Sequence, residues 1–305
     1  MKLALLFPGQ GSQKVNMLKD MPKEKIILET IKEANEVLGI DMFSLDTEEA
    51  LKSTRSVQLS LFIYGVAMAR YLKESGIKYD IVIGHSIGGF AASVVSESLS
   101  FKEGLKLVDL RGKLMGEGFP KGYGMGAIIG LNKNILNSLT EELRKDGEEV
   151  YIATINTKNQ ITVAGKLSSI EKLFALARNI GVNKTRILNV SVPSHCELLI
   201  SISDRLREEM EKIDFKKPKI PFVGNCRARA LWSGESIRED LFLGISNAVK
   251  FYDGFVNIYE RGVRTFIECG TGSVLSNMIK GEFSDVKTMS TGRLDLDSII
   301  YLANK

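Results

Sequence analysis

Residues 79–100, YDIVIGHSIGGFAASVVSESLS, constrain the fold more than any other stretch, because they read as an apolar strand, a sharp turn and an apolar helix in direct succession. That order is an α/β signal. The turn carries the pattern G-x-S-x-G, Gly84 to Gly88. Flanking glycines let a chain turn tightly enough to project the intervening serine, Ser86, above the end of a sheet, and the following helix N-terminus favours a developing negative charge. The alternative is a glycine-rich connection with an inert serine. The strand before and the helix after weigh against it.

The same alternation extends along the chain. KLALLF reads as a buried strand ending in the Gly-rich turn PGQGSQ, a polar stretch and helical segments. Helical apolar spacing runs from about Ser56 to Glu74. A further helix is expected from Lys102 to about Glu117, with Leu105, Val108, Leu110, Leu114 and Met115 mostly toward the core. The middle differs. GMGAIIGL, VYIATINT, NQITVAG and KTRILNVSV read as strands, and NKNILNSLTEELRKDG and LSSIEKLFALARNIG as helices, in the order βαββαβ. This is the ferredoxin-like pattern. After Pro193 the expected elements are a helix to about Ile213, the strand IPFVGN, more helix, the strand RTFIECG and a final helix from near Ser273.

The expected architecture is therefore α/β: a parallel sheet sandwiched by helices forms a large catalytic subdomain from residues 1–122 and 191–305. A small ferredoxin-like subdomain, residues 123–190, is inserted into it. The 305 residues, 44% hydrophobic and 26% charged, suit a chain that folds throughout, without repeats or low complexity.

Composition also narrows the setting. The apolar run before PGQG is too short for a signal-peptide core, and the longest apolar stretch, Leu59 to Ala69, has eleven residues where a membrane span needs about 20. Cys196, Cys226 and Cys269 are odd in number and widely spaced, which suggests neither disulfides nor a zinc site. A cytoplasmic location without membrane contact is expected. A net charge of +4 without blocks of like charge gives nucleic-acid binding little support, although a mild basic bias suits an acidic partner.

A serine nucleophile needs a base, and the chain has two histidines, His85 and His195. His85 adjoins Ser86 within the turn, so its side chain should diverge. His195, in VPSHC, is then the candidate, with a solvated loop histidine as the competing reading. The backbone N–H groups of Ile87 and of Gln10 are candidate oxyanion donors. No carboxylate stands in a diagnostic motif as a third member, and a backbone carbonyl can orient the imidazole instead. Arg111, in LVDLRGKLMGE, is an arginine on a mostly apolar helix. Such a residue either pairs with a buried carboxylate or snorkels to solvent, and the helix alone does not choose.

With FPGQGSQ, GHSIG, LRGKLM, NQITVAG and VPSHC in this order, nearly the whole chain resembles the malonyl-coenzyme A:acyl carrier protein transacylases. ECGTGSVL resembles the family's late glycine turn, with Thr271 where proline is common. The resemblance implies that Ser86 is the acylated nucleophile, His195 its base, Arg111 the partner of the malonyl carboxylate, and Gln10 and Ile87 the oxyanion hole. It places Gln58 near the pocket in a supporting role and puts a histidine-orienting carbonyl near Gly244, ahead of Asn247. Fatty-acid-synthesis members usually read GHSLGEY at the turn, whereas this chain reads GHSIGGF. That departure, with LDTEEALKSTRSVQLSLFIYGVAMAR and GYGMGAIIGL, looks more like the epsilon subunit of malonate decarboxylase.

The implied reaction is a ping-pong malonyl transfer from malonyl-coenzyme A to the phosphopantetheine-type arm of an acyl carrier protein, with neither a permanently bound cofactor nor a metal. The implied partners are that carrier and, in the decarboxylase setting, the other subunits of that complex. A thioesterase or esterase is the competing enzyme class, since the turn alone does not distinguish water from a thiol as acceptor. A non-catalytic subunit that only docks a carrier is a third.

Overall fold

A computed structural model describes residues 2–117, 119–182, 184–190 and 192–304. The expected subdomain limits at residues 1, 191 and 305 lie outside the described residues. Ten strands form two sheets among them: β1 Lys2–Phe7, β2 Ile81–Gly84, β3 Tyr123–Ile129, β4 Val150–Thr157, β5 Gln160–Lys166, β6 Lys184–Ile187, β7 Phe222–Val223, β8 Ala230–Leu231, β9 Val263–Glu268 and β10 Lys287–Ser290.

The large sheet has the order β10-β9-β1-β2-β7-β8 and is parallel except for β8, which runs antiparallel to β7. The continuous apolar run of β1 follows from burial on both faces. Leu3, Leu5 and Phe7 join one core cluster, and Ala4 and Leu6 join the other. Register then decides what the sheet presents: Phe7 lies beside Gly84, and Leu6 beside Glu268. The turns that follow β1, β2 and β9 therefore leave the same sheet edge side by side. In open α/β sheets, the carboxyl ends of the strands are where ligands gather.

The second sheet, β4-β5-β3-β6, is antiparallel throughout. Its helices, Lys133–Lys145 and Leu167–Asn179, bury Leu136, Leu173 and Phe174 against Ile128, Ile161 and Val163. Strand order and connectivity are ferredoxin-like, as the βαββαβ reading expected. β4 is tied backbone to backbone to the segment between the helices Gly234–Ser246 and Phe251–Glu260: the Ile155 N–H donates to the Val249 carbonyl at 2.8 Å, and the Val249 N–H to Ala153 at 2.9 Å.

Several elements depart from the sequence reading. The strand in KTRILNVSV ends at Ile187; the Leu188 N–H still reaches the Met125 carbonyl at 2.9 Å, after which the Val190 N–H turns back to Leu188. IPFVGN contributes two residues, because Pro221 has no N–H to donate and the amides from Asn225 onward are captured by the Asp240 carboxylate. Regular helix after Pro193 begins only at Ile200, since the His195 N–H is taken by the Ile245 carbonyl. The helix near Ser273, Val274–Glu282, is not the last element. β10 and a helix, Leu296–Ala303, follow it. The polar KTMS of β10 carries no apolar run to announce a strand. On the helix Phe101–Gly116, Leu105, Val108, Leu114 and Met115 are buried, and Leu110 is half-buried.

Candidate active site

The turn after β2 is held open by contacts on both sides. A Cβ on Gly88 would overlap the Phe7 carbonyl, and one on Gly84 would overlap the Gly88 backbone, so only glycine fits either position. The His85 N–H donates to Phe7 at 2.9 Å, which fixes the end of β1 against the turn. Ser86 sits at φ +54°. That left-handed conformation costs a non-glycine residue about 1–3 kcal/mol and persists only where neighbours over-determine it.

Ser86 and His195, 109 residues apart, meet at 2.8 Å between Oγ and Nε2. The imidazole is buried, and its Nδ1 lies 2.5 Å from the Gly244 carbonyl. A carbonyl only accepts, so Nδ1 carries the proton and Nε2 presents a lone pair to the serine hydroxyl. His195 also has a positive φ, +67°, and its N–H donates to Ile245 at 2.9 Å. Gly244 and Ile245 lie in the last turn of the helix Gly234–Ser246, whose carbonyls lack helical partners. The ring and backbone of His195 supply those partners, and the negative end of the helix dipole faces an imidazole that must become positive when it takes a proton.

His85 diverges as expected. Its Nε2 meets Asn156 Oδ1 in the small sheet at 2.9 Å. Burial pushes its pKa down, against the effect of the Asn156 bond. His195 is pushed down to about 3, first by burial and then by the charge of Arg111, with the Gly244 bond opposing both.

Arg111 does not snorkel. It is 3% exposed, and its Nη2 lies 3.3 Å from Ser86 Oγ. Among the described residues no Asp or Glu pairs with it, and its buried Nε has no hydrogen-bond partner. Burial lowers its pKa to about 10, which leaves it charged at neutral pH. Burying an unpaired guanidinium is costly, and a carboxylate is the group whose geometry would best offset that cost. Gln58, on the helix Thr54–Glu74, is buried against the same region, with Nε2 on Met115 Sδ at 3.5 Å and Oε1 without a partner.

Ser86, Phe90, Arg111, Asn225, Asp240, Leu241 and Gly244 line a small cavity of about 10 Å³ at these atoms. Gln10 is exposed in the turn after β1, and Ile87 is buried immediately before the helix Gly88–Val95. The edge-to-edge packing of β1 and β2 brings both turns to the same sheet edge. Thr271, in the late glycine turn, donates its hydroxyl to the Ser12 carbonyl, and Lys14 Nζ reaches the Thr271 carbonyl at 2.5 Å. A proline at 271 has no hydroxyl to make the first of these ties.

Asn225 was invisible in the sequence. Its Oδ1 accepts the Ser86 N–H at 2.9 Å, and its Nδ2 donates to the Gly84 carbonyl at 3.0 Å. A lone asparagine in VGNC carries no motif that could have found it. Asp240 likewise had none.

Comparison with known proteins gives one answer. The family model described as "Acyl transferase domain" matches residues 4–294. The malonyl CoA-acyl carrier protein transacylase of Haemophilus influenzae is 35% identical over 297 residues, covering 95% of each chain. The crystal structure of FabD from Acinetobacter baumannii superposes with a TM-score of 0.94 at 31% identity, covering 99% of this chain and 98% of that one. A malonyl-transacylase solved in complex with its type II PKS acyl-carrier protein superposes with a TM-score of 0.92 at 32% identity, covering 99% of both.

Proposed function

The chain belongs to the acyl transferase family, among the malonyl-coenzyme A:acyl carrier protein transacylases, and on that footing we propose that it moves a malonyl group from coenzyme A to the thiol of an acyl carrier protein. The observation that carries the proposal is the convergence on Ser86 Oγ of a neutral base at 2.8 Å and a buried, unpaired guanidinium at 3.3 Å.

The chemistry divides into two half-reactions. Ser86 Oγ attacks the thioester carbonyl while His195 Nε2 takes the hydroxyl proton. The tetrahedral oxyanion lies between the N–H groups of Ile87 and Gln10, each of which stabilises it by about 3 kcal/mol. Collapse breaks the C–S bond, and the proton on His195 leaves with the coenzyme A sulfur. The carrier's thiol then gives its proton to His195 and attacks the malonyl ester, and Ser86 leaves as the hydroxyl with that proton. Arg111 exchanges the serine hydroxyl for the malonyl carboxylate, and an acetyl group offers it no such partner. Gln58 supports that end of the pocket. Residues 123–190 form the small subdomain in this reading, and the reaction uses no metal or resident cofactor.

Between the two settings weighed from the sequence, the transacylase names of the relatives favour the enzyme of fatty-acid synthesis over the epsilon subunit of malonate decarboxylase. Gly89, which pointed to the subunit, has a local explanation. A Cβ there would lie 3.2 Å from Leu241 Cδ2 and 3.4 Å from Asn225 Nδ2, so the position packs tightly behind Ser86, and a larger residue there needs those side chains to shift.

Intact-protein mass after brief exposure to malonyl-coenzyme A tests the proposal. A malonyl adduct on the wild type, absent from Ser86→Ala and weak with acetyl-coenzyme A, is expected. An adduct that persists in water and leaves only with a carrier thiol marks a transferase, whereas rapid spontaneous loss marks a hydrolase. No adduct and no release of coenzyme A would leave only a carrier-docking role.

A further inference from the structure

Both halves of the Ser86–His195 pair trace back to one helix, Gly234–Ser246. Its last turn holds His195 through Gly244 and Ile245. Its middle turn carries Asp240, a carboxylate 1% exposed that accepts three successive backbone N–H groups, from Asn225 at 2.6 Å, Cys226 at 3.0 Å and Arg227 at 3.3 Å. Those bonds fix the main chain of Asn225. Its side chain in turn spans the nucleophile turn, taking the Ser86 N–H with one atom and reaching the Gly84 carbonyl with the other.

We propose that Asn225 and Asp240 are positioning residues for acylation, a clamp that registers the nucleophile turn to the helix holding the base. The inference rests on Ser86 being the acylated residue. Two features make a clamp necessary. Ser86 occupies a left-handed φ that relaxes unless its amide is held, and relaxation moves Oγ away from Nε2. The two catalytic side chains also come from separate loops, so a shared anchor sets their distance where independent anchors would let it drift. Misplacement by about 1 Å is enough to cost on the order of 100-fold in rate.

Both polar atoms of the Asn225 side chain are already engaged, by the Ser86 N–H and the Gly84 carbonyl, so the role assigned to it is to hold the turn and not to bond the thioester or the leaving group. Its loss should therefore lower the rate at which Ser86 acylates while leaving substrate binding and the His195 pH limb in place. It should also act on any acyl donor, unlike a change at Arg111.

The experiment is pre-steady-state acylation of the full chain by malonyl-coenzyme A and by p-nitrophenyl acetate, for wild type, Asn225→Ala, Asp240→Asn and the double variant. The ester keeps the test separate from the proposed substrate: if the wild type acylates with the ester but not with malonyl-coenzyme A, the malonyl reading fails and the clamp is still measured. The expected result for Asn225→Ala is a fall of about 10- to 100-fold in burst rate with both donors, a burst amplitude still near one per chain, and an unchanged KM and pH midpoint. A purely structural role would lower the amplitude instead. The double variant should lose less than the product of the single losses, because Asp240 acts through Asn225. Should Asn225→Ala fail to fold, Asn225→Ser, which keeps one polar atom, and Asp240→Asn carry the same readouts. Burst rates within twofold of wild type, or losses confined to amplitude, overturn the clamp. Multiplicative losses overturn the part assigned to Asp240.

Discussion

His195 Nδ1 donates to the main-chain carbonyl of Gly244 at 2.5 Å, so the group that orients the imidazole is not a side chain. An acidic residue in that place would add a negative charge next to the imidazole and could be deleted by mutation. A carbonyl at a helix end supplies the same tautomer and leaves the positive Arg111 as the nearest strong charge acting on the ring.

The Gly244 carbonyl survives a change of side chain. A Cβ at 244 would meet Asn225 Cβ and Cys226 Sγ at 4.0 Å, ordinary contact distance. Gly244→Ala should therefore keep burst acylation by a small ester within about threefold, while the helix gains roughly 0.5–1 kcal/mol from the better helix former. Kinetics and thermal unfolding check both parts. A loss of two orders of magnitude would mean that position 244 contributes more than its main-chain carbonyl.

Arg111 is predicted to select the acyl group. Arg111→Ala removes a charge-assisted pair with the malonyl carboxylate and should lower malonyl acylation about 100-fold, with a much smaller effect on acetyl acylation. Single-turnover rates with both coenzyme A thioesters decide it, and equal losses would remove Arg111 from that role.

The pH profile follows from the same charge. His195 acts as a base only when neutral, and burial together with Arg111 holds its pKa down to about 3. The rate of acylation should accordingly stay level from pH 7 to pH 5, where an exposed histidine near 6.5 would already have lost most of its activity. In Arg111→Ala the repulsion is gone, so the acid limb should move upward in pH. An acid midpoint near 6.5 in the wild type would contradict the buried geometry.

Stability should also fall in acid. His195 is buried and His85 half-buried, and desolvation holds the folded pKa of each below the unfolded one, so the unfolded chain binds more protons wherever it titrates first. Stability is then fully present above about pH 6.5 and declines as pH drops from there toward the folded value of His195 near 3. His195→Gln should flatten the fall of Tm between pH 6.5 and 4, measured by calorimetry. An unchanged slope would mean that the ring is solvated before unfolding.

Much of the site was legible because its signals are local. Ser86 announces itself through glycines one position beyond each neighbour, and the flanking strand and helix give that spacing meaning. His195 emerged by elimination from two histidines, whereas the apolar helix only singled out Arg111 and left its role to the family resemblance. The inserted sheet was legible from periodicity, because each of its strands and helices carries its own apolar pattern. The strands that were missed or overextended lack such patterns. β7 and β8 have two residues each, and β10 is polar.

By itself the sequence determined most of the elements, the strand–turn–helix that carries Ser86 and a short list of candidate partners for it, since these depend on residue type and spacing along a few turns of chain. Only the tertiary structure decided what those residues meet. It carried His195 across 109 residues to Ser86, turned Arg111 inward where no carboxylate among the described residues pairs with it, and set a backbone carbonyl at a helix end on the imidazole. It also brought Asn225 to the nucleophile's amide from 139 residues away. A backbone carbonyl has no residue code, and an asparagine has the same letter in a turn as in a clamp. Their roles are set by distance and burial, which exist only once the sheet has aligned its turns along one edge.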